Sequence, residues 1–378
     1  MIINKLKVVV LGCGKISNIY INNLKSKFNI IELTGCCDTN KIKQKETSEK
    51  FHIKEYTFKE ILTDKNIDIV VNLTPPSIHY RTTKTLLENN KNVFTEKVLA
   101  LKFEEGLELV ELAQNKKLYL GSAPDTFLGG AIQTVKYLID KGIIGTITSC
   151  VATLNRDVNY ISEKYPFTME QGGGIAYDYG IYYVTALLAI LGKVEEVNGY
   201  IGITNPKRKH TFTSLENFED EFELINENIL IGNLKFQNNI HCSLHFNSNN
   251  IQPEVPNFAI YGTEGIVYLP DPNYFGGDVK VLLKGQKEPF IFPLKFSFFE
   301  NERGMGVAEM AWAIRRKREN RASKELALHA LEVIHGIGES TKNKKYYKMK
   351  TNFNIPKILT HCSFGKEYDS ENEFSIVN

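Results

Sequence analysis

A glycine-rich segment near the middle of the chain sets two proton-handling side chains four residues apart. Gly172-Gly173-Gly174 precedes Asp178 and Tyr182 at the start of a predicted helix. Residues four apart lie on one face of a helix, so this carboxylate and this phenol would face the same side. Together they suit the transfer of a proton to or from a ligand hydroxyl. The structural alternative is that Asp178 caps the helix and Tyr182 packs in the core. Three glycines favour the first interpretation, because they allow the backbone to approach a flat ligand or a second chain closely.

A lysine that can hold a reacting oxygen follows a predicted parallel strand. Glu96-Lys97 comes directly after the strand at 92–95, and open α/β sheets bind their ligands at the carboxyl ends of such strands. A lysine there can donate to a substrate hydroxyl and stabilise its alkoxide as a hydride leaves. The alternative is an ordinary loop charge, and the lysine alone does not decide between the two.

The N-terminal segment Gly12-Cys13-Gly14-Lys15-Ile16 links a predicted strand to a predicted helix. Its glycines permit a tight turn and let the backbone approach a pyrophosphate at the helix N-terminus. Ser17 stands where a third glycine or alanine is common, and its small side chain still allows the helix to pack on the strand. We expect this segment to bind a dinucleotide cofactor, although such a motif also occurs without one.

Asp38 ends the second predicted strand. A carboxylate there can accept hydrogen bonds from the adenosine ribose and repel a 2′-phosphate, which predicts NAD as the cofactor in preference to NADP. The alternative is an ordinary turn residue before Asn40. The glycines upstream favour the cofactor role.

Strand and helix patterns alternate through the first third of the chain, which is typical of a doubly wound parallel α/β sheet. We predict strands at 7–11, 31–37, 68–73, 92–95 and 118–121, and helices at 16–27, 77–89 and 103–115. Further along, predicted helices at 132–141, 175–191, 305–318 and 325–337 accompany strands at 147–155, 229–236, 240–246, 258–261 and 265–269. This order predicts an α+β domain with a large, mostly antiparallel sheet. We assign a Rossmann dinucleotide-binding domain to residues 1–122, a substrate-binding and oligomerisation domain to 123–365, and a polar tail to 366–378.

Composition excludes several classes of partner. The 378 residues carry a net charge of +2, so we expect no nucleic-acid partner, and we interpret the basic run 315–318 as a solvated helix face. No apolar run reaches the roughly 18 residues of a membrane span, and residues 1–5 enter a strand instead of opening a signal peptide. The six cysteines form no C-x-x-C pair, which predicts reduced thiols. We expect a soluble, cytoplasmic protein with no metal site and no membrane contact.

Together these residues resemble the Gfo/Idh/MocA oxidoreductases, the family of glucose-fructose oxidoreductase and inositol dehydrogenase. The resemblance runs from about Lys5 to about Ser340 and includes, in family order, Gly12-Cys13-Gly14, Asp38, Thr74-Pro75-x-x-x-His79, Glu96-Lys97 and Gly172-Gly173-Gly174-x-x-x-Asp178-x-Gly180-x-Tyr182. It implies bound NAD(H) or NADP(H), a sugar, cyclitol or related polyol substrate, and a second domain that often forms homodimers or homotetramers.

The resemblance also implies further cofactor-binding residues, namely Thr74, Pro75, His79, Glu96 and Lys97. It places His79 near the nicotinamide half of the cofactor. The alternative for His79 is a position on a helix surface.

Two residues depart from the family pattern. Val98 stands where the family usually has proline, so this loop lacks the fixed φ of proline. Tyr182 stands where many members have histidine. Tyrosine at this place resembles the subgroup of glucose-fructose oxidoreductase and the dimeric dihydrodiol and xylose dehydrogenases, in which a tyrosine is taken as the acid/base.

The resulting hypothesis is an NAD(P)-dependent dehydrogenase that moves a hydride between a CH–OH group and the nicotinamide. Lys97 would hold the reacting oxygen, Tyr182 would relay its proton, and Asp178 would fix the geometry or bind a neighbouring hydroxyl. Arg303 and Asp157 are weaker candidates for substrate contact. Two alternatives stay open: a redox-neutral glycosidase or lyase acting through a transient keto-sugar, and a catalytically inactive nucleotide-sensing protein.

Overall fold

The computed structural model describes residues 4–211, 216, 218–251 and 257–359. The predicted polar tail lies outside the described residues. No helix in the described part of the chain is long and apolar enough to cross a membrane.

The N-terminal domain is a parallel sheet with helices on its faces. Its strands are β1 (Leu6–Leu11), β2 (Ile31–Cys37), β3 (Lys54–Glu55), β4 (Ile69–Asn72), β5 (Asn92–Thr95) and β6 (Leu120–Ser122). Its helices are α1 (Ser17–Ser26), α2 (Lys41–Phe51), α3 (Phe58–Thr63), α4 (Pro76–Glu88) and α5 (Phe103–Asn115). The strand order is β3-β2-β1-β4-β5-β6, and every described pair in it is parallel. The predicted Rossmann-type sheet is confirmed, and its order reverses between β1 and β4, the point at which sheets of this type bind their ligands.

The second domain contains a larger, mixed sheet. Its strands are β7 (Ile147–Asn155), β8 (Val194–Gly202), β9 (Lys207–Lys209), β10 (Glu221–Glu223), β11 (Ile229–Phe236), β12 (His241–Asn247), β13 (Phe258–Gly262), β14 (Gly265–Tyr268), β15 (Val279–Leu283), β16 (Phe290–Phe292) and β17 (Tyr347–Lys348). Nine of these described strands form the large sheet, in the order β16-β15-β14-β13-β7-β12-β11-β8-β17, and β9 and β10 pair antiparallel with each other in a separate sheet. Among their described pairs β12 runs parallel to β7 and the others are antiparallel. The predicted mostly antiparallel sheet is confirmed.

Helices cover one face of this sheet and reach back to the first domain. They are α6 (Gly130–Asp140), α7 (Val158–Lys164), α8 (Ile181–Leu191), α9 (Met305–Arg316) and α10 (Lys324–Asn343). Helix α10 packs so closely on α5 that a Cβ on Gly106 would stand 2.9 Å from a methyl of Leu331. Ser323 also forms a backbone bridge with Gly121 of β6. The two domains therefore share an extended contact.

Helix α8 is anchored in the centre of the second domain. All its residues are buried, as expected for a helix that is apolar on every side. The ring of Tyr183 lies 5.6 Å from that of Phe246 and 5.1 Å from that of Phe258, on the inner face of the sheet. This packing fixes the position of the neighbouring Tyr182.

The helix predicted at 175–191 consists of two different parts. Ala176–Gly180 forms a π-helical turn, and α8 follows it. Apolar spacing does not distinguish the two, because both parts bury most of their residues. The wider turn is the one that carries Asp178.

The outer face of the large sheet is open. Strands β11 and β12 alternate buried and exposed residues. On the exposed face Ile231 stands opposite Tyr200 of β8, and each is 45% exposed. Two large apolar side chains therefore lie side by side on this face.

Candidate active site

Lys97, Asp178 and Arg156 form a buried ion-pair network between the two domains. Lys97 follows β5, Asp178 lies in the π-helical turn, and Arg156 follows β7. Lys97 Nζ lies 2.5 Å from Asp178 Oδ1 and also donates to the Asp178 carbonyl oxygen at 2.6 Å. Arg156 Nη1 donates to Asp178 Oδ2 at 2.9 Å. Both carboxylate oxygens are engaged, and neither helical part uses Asp178 as a side-chain cap.

The network keeps its members charged. The side chains of Lys97, Asp178 and Arg156 are 14%, 6% and 9% exposed. Burial acts to lower the pKa of Lys97, but nearby acidic groups, above all Asp178, outweigh it and raise this pKa. Burial acts to raise the pKa of Asp178, yet the two cations hold it below its ordinary value. At neutral pH the lysine is therefore a cation and the aspartate an anion.

Tyr182 lies beside this network. Its side chain is 7% exposed, and Lys97 Nζ stands 5.7 Å from the centre of its ring. Burial raises the pKa of Tyr182, while Lys97 and Arg303 act in the opposite direction. The Arg303 guanidinium lies near enough to act electrostatically on the Tyr182 phenol. The structure thus brings together the three predicted catalytic residues, and their catalytic roles stay predictions.

The turn between β1 and α1 fits a dinucleotide. Gly12 has φ +104°, and a Cβ there would come within 2.7 Å of the Leu73 carbonyl oxygen, so this position requires glycine. A Cβ on Gly14 would meet no described atom within 4 Å. Helix α1 begins without a side-chain cap from the described residues; the Ser17 N–H donates to the Gly14 carbonyl oxygen at 3.1 Å, and the amides of the following residues face the start of the helix. Open space and uncapped amides at a helix N-terminus are what a pyrophosphate needs.

Asp38 is fixed next to that turn. The Cys13 N–H donates to Asp38 Oδ2 at 2.7 Å, and the Asn40 N–H donates to Asp38 Oδ1 at 2.7 Å. Lys41 Nζ donates to the backbone carbonyl of Asp38 at 3.1 Å and to Gln44 Oε1 at 2.8 Å. Both hydrogen bonds from this lysine therefore go to neutral acceptors, and the Asp38 carboxylate lies at the edge of the predicted cofactor site.

Lys15 and Ile16 continue the turn. Lys15 Nζ stands 4.7 Å from the ring centre of Tyr165 in the second domain, and Ile16 immediately precedes α1. The glycine turn therefore contacts both domains.

His79 joins two loops at the carboxyl edge of the first sheet. Its Nδ1 lies 2.8 Å from the Val98 carbonyl oxygen and its Nε2 lies 2.6 Å from that of Thr74. The side chain is 1% exposed, and burial lowers its pKa. The helix-surface alternative is therefore wrong, and His79 holds backbone groups of the loops after β4 and β5. Direct contact of His79 with the cofactor stays a prediction.

The other predicted residues of these loops are also tied to the protein. Thr74 Oγ1 donates to Asn72 Oδ1 at 2.7 Å, and Pro75 immediately precedes α4. Glu96 accepts from the Tyr20 hydroxyl at 2.7 Å and from the Lys97 N–H at 2.9 Å. The Lys97–Val98 peptide bond is cis.

The three glycines before Asp178 serve the protein's own packing. A Cβ on Gly172 would stand 2.5 Å from Leu101, and one on Gly173 would stand 2.3 Å from the Thr168 carbonyl oxygen. A Cβ on Gly174 would stand 2.1 Å from the Glu227 carboxylate. The interpretation that they admit a flat ligand or a second chain is wrong, because segments of the same chain occupy these places.

Two residues near Asp178, Arg156 and Glu227, were not singled out from the sequence, and Asp157 was a weaker candidate. Arg156 has one sequence signal, its place directly after a long predicted strand. Glu227 has none; its Oε1 accepts from the Ala176 N–H at 3.1 Å, and burial raises its pKa to about 7. Asp157 caps α7 through the Asn159 N–H at 3.0 Å. Its weaker candidacy for substrate contact therefore gains no support.

The two domains match models of a single family. Residues 6–123 match the oxidoreductase family's NAD-binding Rossmann fold, and residues 132–268 match the GFO/IDH/MocA C-terminal domain. Both models describe one class of two-domain proteins, the oxidoreductases with an NAD-binding Rossmann fold and a GFO/IDH/MocA C-terminal domain. The chain belongs to the Gfo/Idh/MocA family, as its sequence resemblance implied.

Named relatives indicate the range of the family. D-xylose 1-dehydrogenase (NADP(+)) of Hypocrea jecorina is 32% identical over 144 residues, which are 36% of this chain and 37% of that protein. Trans-1,2-dihydrobenzene-1,2-diol dehydrogenase of Xenopus tropicalis is 23% identical over 304 residues, 78% of this chain and 84% of that protein. Several other relatives are matched over about half of their length, between 40% and 52%. Levoglucosan dehydrogenase in complex with NADH has a TM-score of 0.79 at 16% identity, with 92% of this chain and 100% of that chain covered; this likeness shows the fold.

Proposed function

We propose that this protein is an NAD(P)-dependent oxidoreductase that transfers a hydride between the nicotinamide and a CH–OH group of a sugar, cyclitol or related polyol. The observation that carries the proposal is the buried Lys97–Asp178 pair, 2.5 Å apart, with Tyr182 beside it. The glycine turn that fits a dinucleotide lies at the same edge of the first sheet as Lys97, because the turn follows β1 and Lys97 follows β5 of one parallel sheet.

Lys97 holds the reacting oxygen in this proposal. Its ammonium stays charged in a dry environment, where it stabilises negative charge on an oxygen that loses its proton. Asp178 offsets that charge when no substrate is present and aims the ammonium. Tyr182 takes the proton during oxidation and returns it during reduction. The nicotinamide, when bound, supplies the hydride acceptor or donor.

Tyrosine in place of histidine is part of this proposal. A phenol is a weak base when buried, and burial raises the pKa of Tyr182. Lys97 and Arg303 both act against that effect, so the site contains the charges that a phenolate needs. This supports Tyr182 as the acid/base.

The cofactor and substrate classes follow from separate observations. The Asp38 carboxylate, held by Cys13 and Asn40, favours NAD, since a 2′-phosphate would bring like charges together. Relatives named as dehydrogenases of D-xylose, levoglucosan and a dihydrodiol share vicinal hydroxyls in their substrates, which supports a polyhydroxylated substrate here.

Self-association is also proposed. The open face of the large sheet presents Tyr200 opposite Ile231, and adjacent exposed apolar side chains on a broad sheet favour contact with a second copy. We propose a homodimer or a dimer of dimers through this face.

The test of the activity uses wild-type protein, NAD⁺ or NADP⁺, and a panel of aldoses, inositols, levoglucosan and dihydrodiols. Formation of reduced cofactor is followed by absorbance. Lys97→Met should abolish it, while Lys102→Met, at a nearby lysine that is 73% exposed, should react like wild type. If no panel member reduces either cofactor, glycoside cleavage without net reduction would favour the transient keto-sugar alternative. Cofactor binding with neither reaction would favour the nucleotide sensor.

A further inference from the structure

Arg303 lies on a segment that is fastened to the nucleotide-binding domain. Asn23 of α1, 1% exposed, donates through its Nδ2 to the carbonyl oxygens of Asn301 at 2.7 Å and Arg303 at 2.9 Å. The helix that begins at the glycine turn thus fixes the backbone of Arg303.

A buried carboxylate fixes the next residues. Asp125, 1% exposed, accepts through Oδ2 from the Gly304 N–H at 3.2 Å and the Gly306 N–H at 2.9 Å. Burial raises the pKa of Asp125 to about 6. Hydrogen bonds to Asn23 and to Asp125 therefore hold the backbone before and after the Cα of Arg303.

The guanidinium is held as firmly as the backbone. Nη2 donates to Asn273 Oδ1 at 2.8 Å, and Nη1 donates to Asn301 Oδ1 at 2.9 Å. Asn273 Nδ2 in turn donates to the Tyr179 hydroxyl at 3.2 Å, and the Tyr179 ring lies 5.7 Å from that of Tyr182. These contacts fix the guanidinium within one residue of the aromatic neighbour of Tyr182, near enough to the phenol for the two groups to act on each other electrostatically.

Few charges face Tyr182. Lys97 approaches from the loop after β5, and Arg303 approaches from the segment before α9. Glu96, which accepts a hydrogen bond from Tyr20, and Asp178, which pairs with Lys97, are acidic groups near it. Lys97 forms an ion pair with Asp178, whereas the Arg303 guanidinium donates to the neutral side chains of Asn273 and Asn301 and acts at longer range on the carboxylates of Glu96 and Asp125. The arginine stays a cation beside the phenol, because its guanidinium is not deprotonated in proteins.

We propose that Arg303 is a positioning residue for Tyr182, which fixes the phenol oxygen and supplies, beside Lys97, a second positive charge that stabilises the phenolate. The inference rests on the proposed function, in which Tyr182 takes a proton from the substrate hydroxyl and returns it in the reverse reaction. Arg303 stays protonated throughout, and the proton passes only between the substrate hydroxyl and Tyr182.

The pH profile of kcat/KM tests this role, measured with the panel substrate that reacts fastest. Oxidation needs the phenolate, so its rate rises with pH through the Tyr182 titration. Arg303→Gln removes the charge and should move this rising limb up by about one pH unit or more. At a fixed pH on the limb, kcat/KM should fall about tenfold or more. Arg303→Lys keeps the charge and should stay within about threefold of wild type. Arg81→Gln, at an exposed arginine of α4, should leave the profile unchanged.

An equal loss of activity at every pH, or no loss, in Arg303→Gln would overturn the inference. If that variant does not fold, as judged by its thermal transition, Asn273→Ala takes its place. That change releases one anchor of the guanidinium, so the limb should move up in the same direction by a smaller amount, and an unmoved limb would again overturn the inference. Failure of the proposed function looks different: Tyr182→Phe would then keep its activity, whatever Arg303→Gln does.

Discussion

Replacing Asp178 by asparagine should destabilise the protein strongly. Asp178 is the shared counter-ion of two cations, at 2.5 Å from Lys97 Nζ and 2.9 Å from Arg156 Nη1, and the three side chains are 6%, 14% and 9% exposed. Asp178→Asn keeps the size of the side chain and leaves both cations without a buried anion. Removing one partner of such a network costs about 3–5 kcal/mol. At about 2–4 °C per kcal/mol for a domain of this size, the unfolding temperature should fall by ~6–20 °C.

The assay is thermal unfolding of wild type, Asp178→Asn, Lys97→Met and the double variant. The double variant should lose less than the sum of the single ones, because the lysine no longer needs its counter-ion. Glu49→Gln is the control: it opens the surface pair with Lys45, in which both side chains are 68% exposed, and should change little. A fall of less than about 2 °C in Asp178→Asn, or strictly additive losses, would refute the reasoning.

The stability that the Lys97–Asp178 ion pair contributes should depend on pH in one direction. The pKa of Asp178 is held below its ordinary value in the folded protein. Its contribution is therefore present above the unfolded pKa of about 3.9 and is lost as pH falls through the lower, folded value. The gap in stability between wild type and Asp178→Asn should stay constant from pH 6 to 8 and close only in acid.

Three further predictions concern cofactor, chemistry and assembly. Tyr182→Phe should lower kcat roughly 10²–10⁴-fold with cofactor affinity nearly unchanged, and Lys97→Met should be at least as harmful, with effects that do not add in the double variant. Stopped-flow measurement of cofactor reduction gives kcat, and a binding titration gives the cofactor affinity. If Tyr182→Phe keeps most of its activity, lysine is the base. NAD should bind about tenfold or more tightly than NADP because of Asp38, and Asp38→Ala should narrow the difference; equal affinities in wild type would sink the assignment. Light scattering should show a dimer or tetramer that Ile231→Lys weakens, since it places a charge beside Tyr200; a wild-type monomer at micromolar concentration would count against the sheet face.

Much of the fold could be predicted because long apolar runs mark buried strands. The strands at 31–37, 92–95, 147–155 and 229–236 were predicted with the bounds that the structure shows. Helix α2 was missed because only Gln44 in it is buried, so it has no apolar face to give a period. The domain limits at residues 122 and 365 stay predictions.

The site was predictable where glycine or strand ends gave a signal. Lys97, Asp178 and Tyr182 could be singled out from their places at a strand end and a helix start, and the structure brings them together. Arg156 could not be assigned a partner, because its contact with Asp178 spans 22 residues and depends on how β7 meets the π-helical turn. The anchoring of Arg303 joins residues up to 280 positions apart, which no local pattern reveals.

The most direct test follows the fate of the substrate hydrogen. Stoichiometric enzyme is mixed with NAD⁺ and a fully carbon-deuterated sugar from the panel, and the cofactor is analysed by mass spectrometry. Within the time that wild type needs for one turnover, the account predicts reduced cofactor that carries one deuterium, formed by wild type and by Lys102→Met but not to a comparable extent by Lys97→Met or Tyr182→Phe. Reduced cofactor without deuterium, or equal labelling in all four proteins, would contradict hydride transfer at this site.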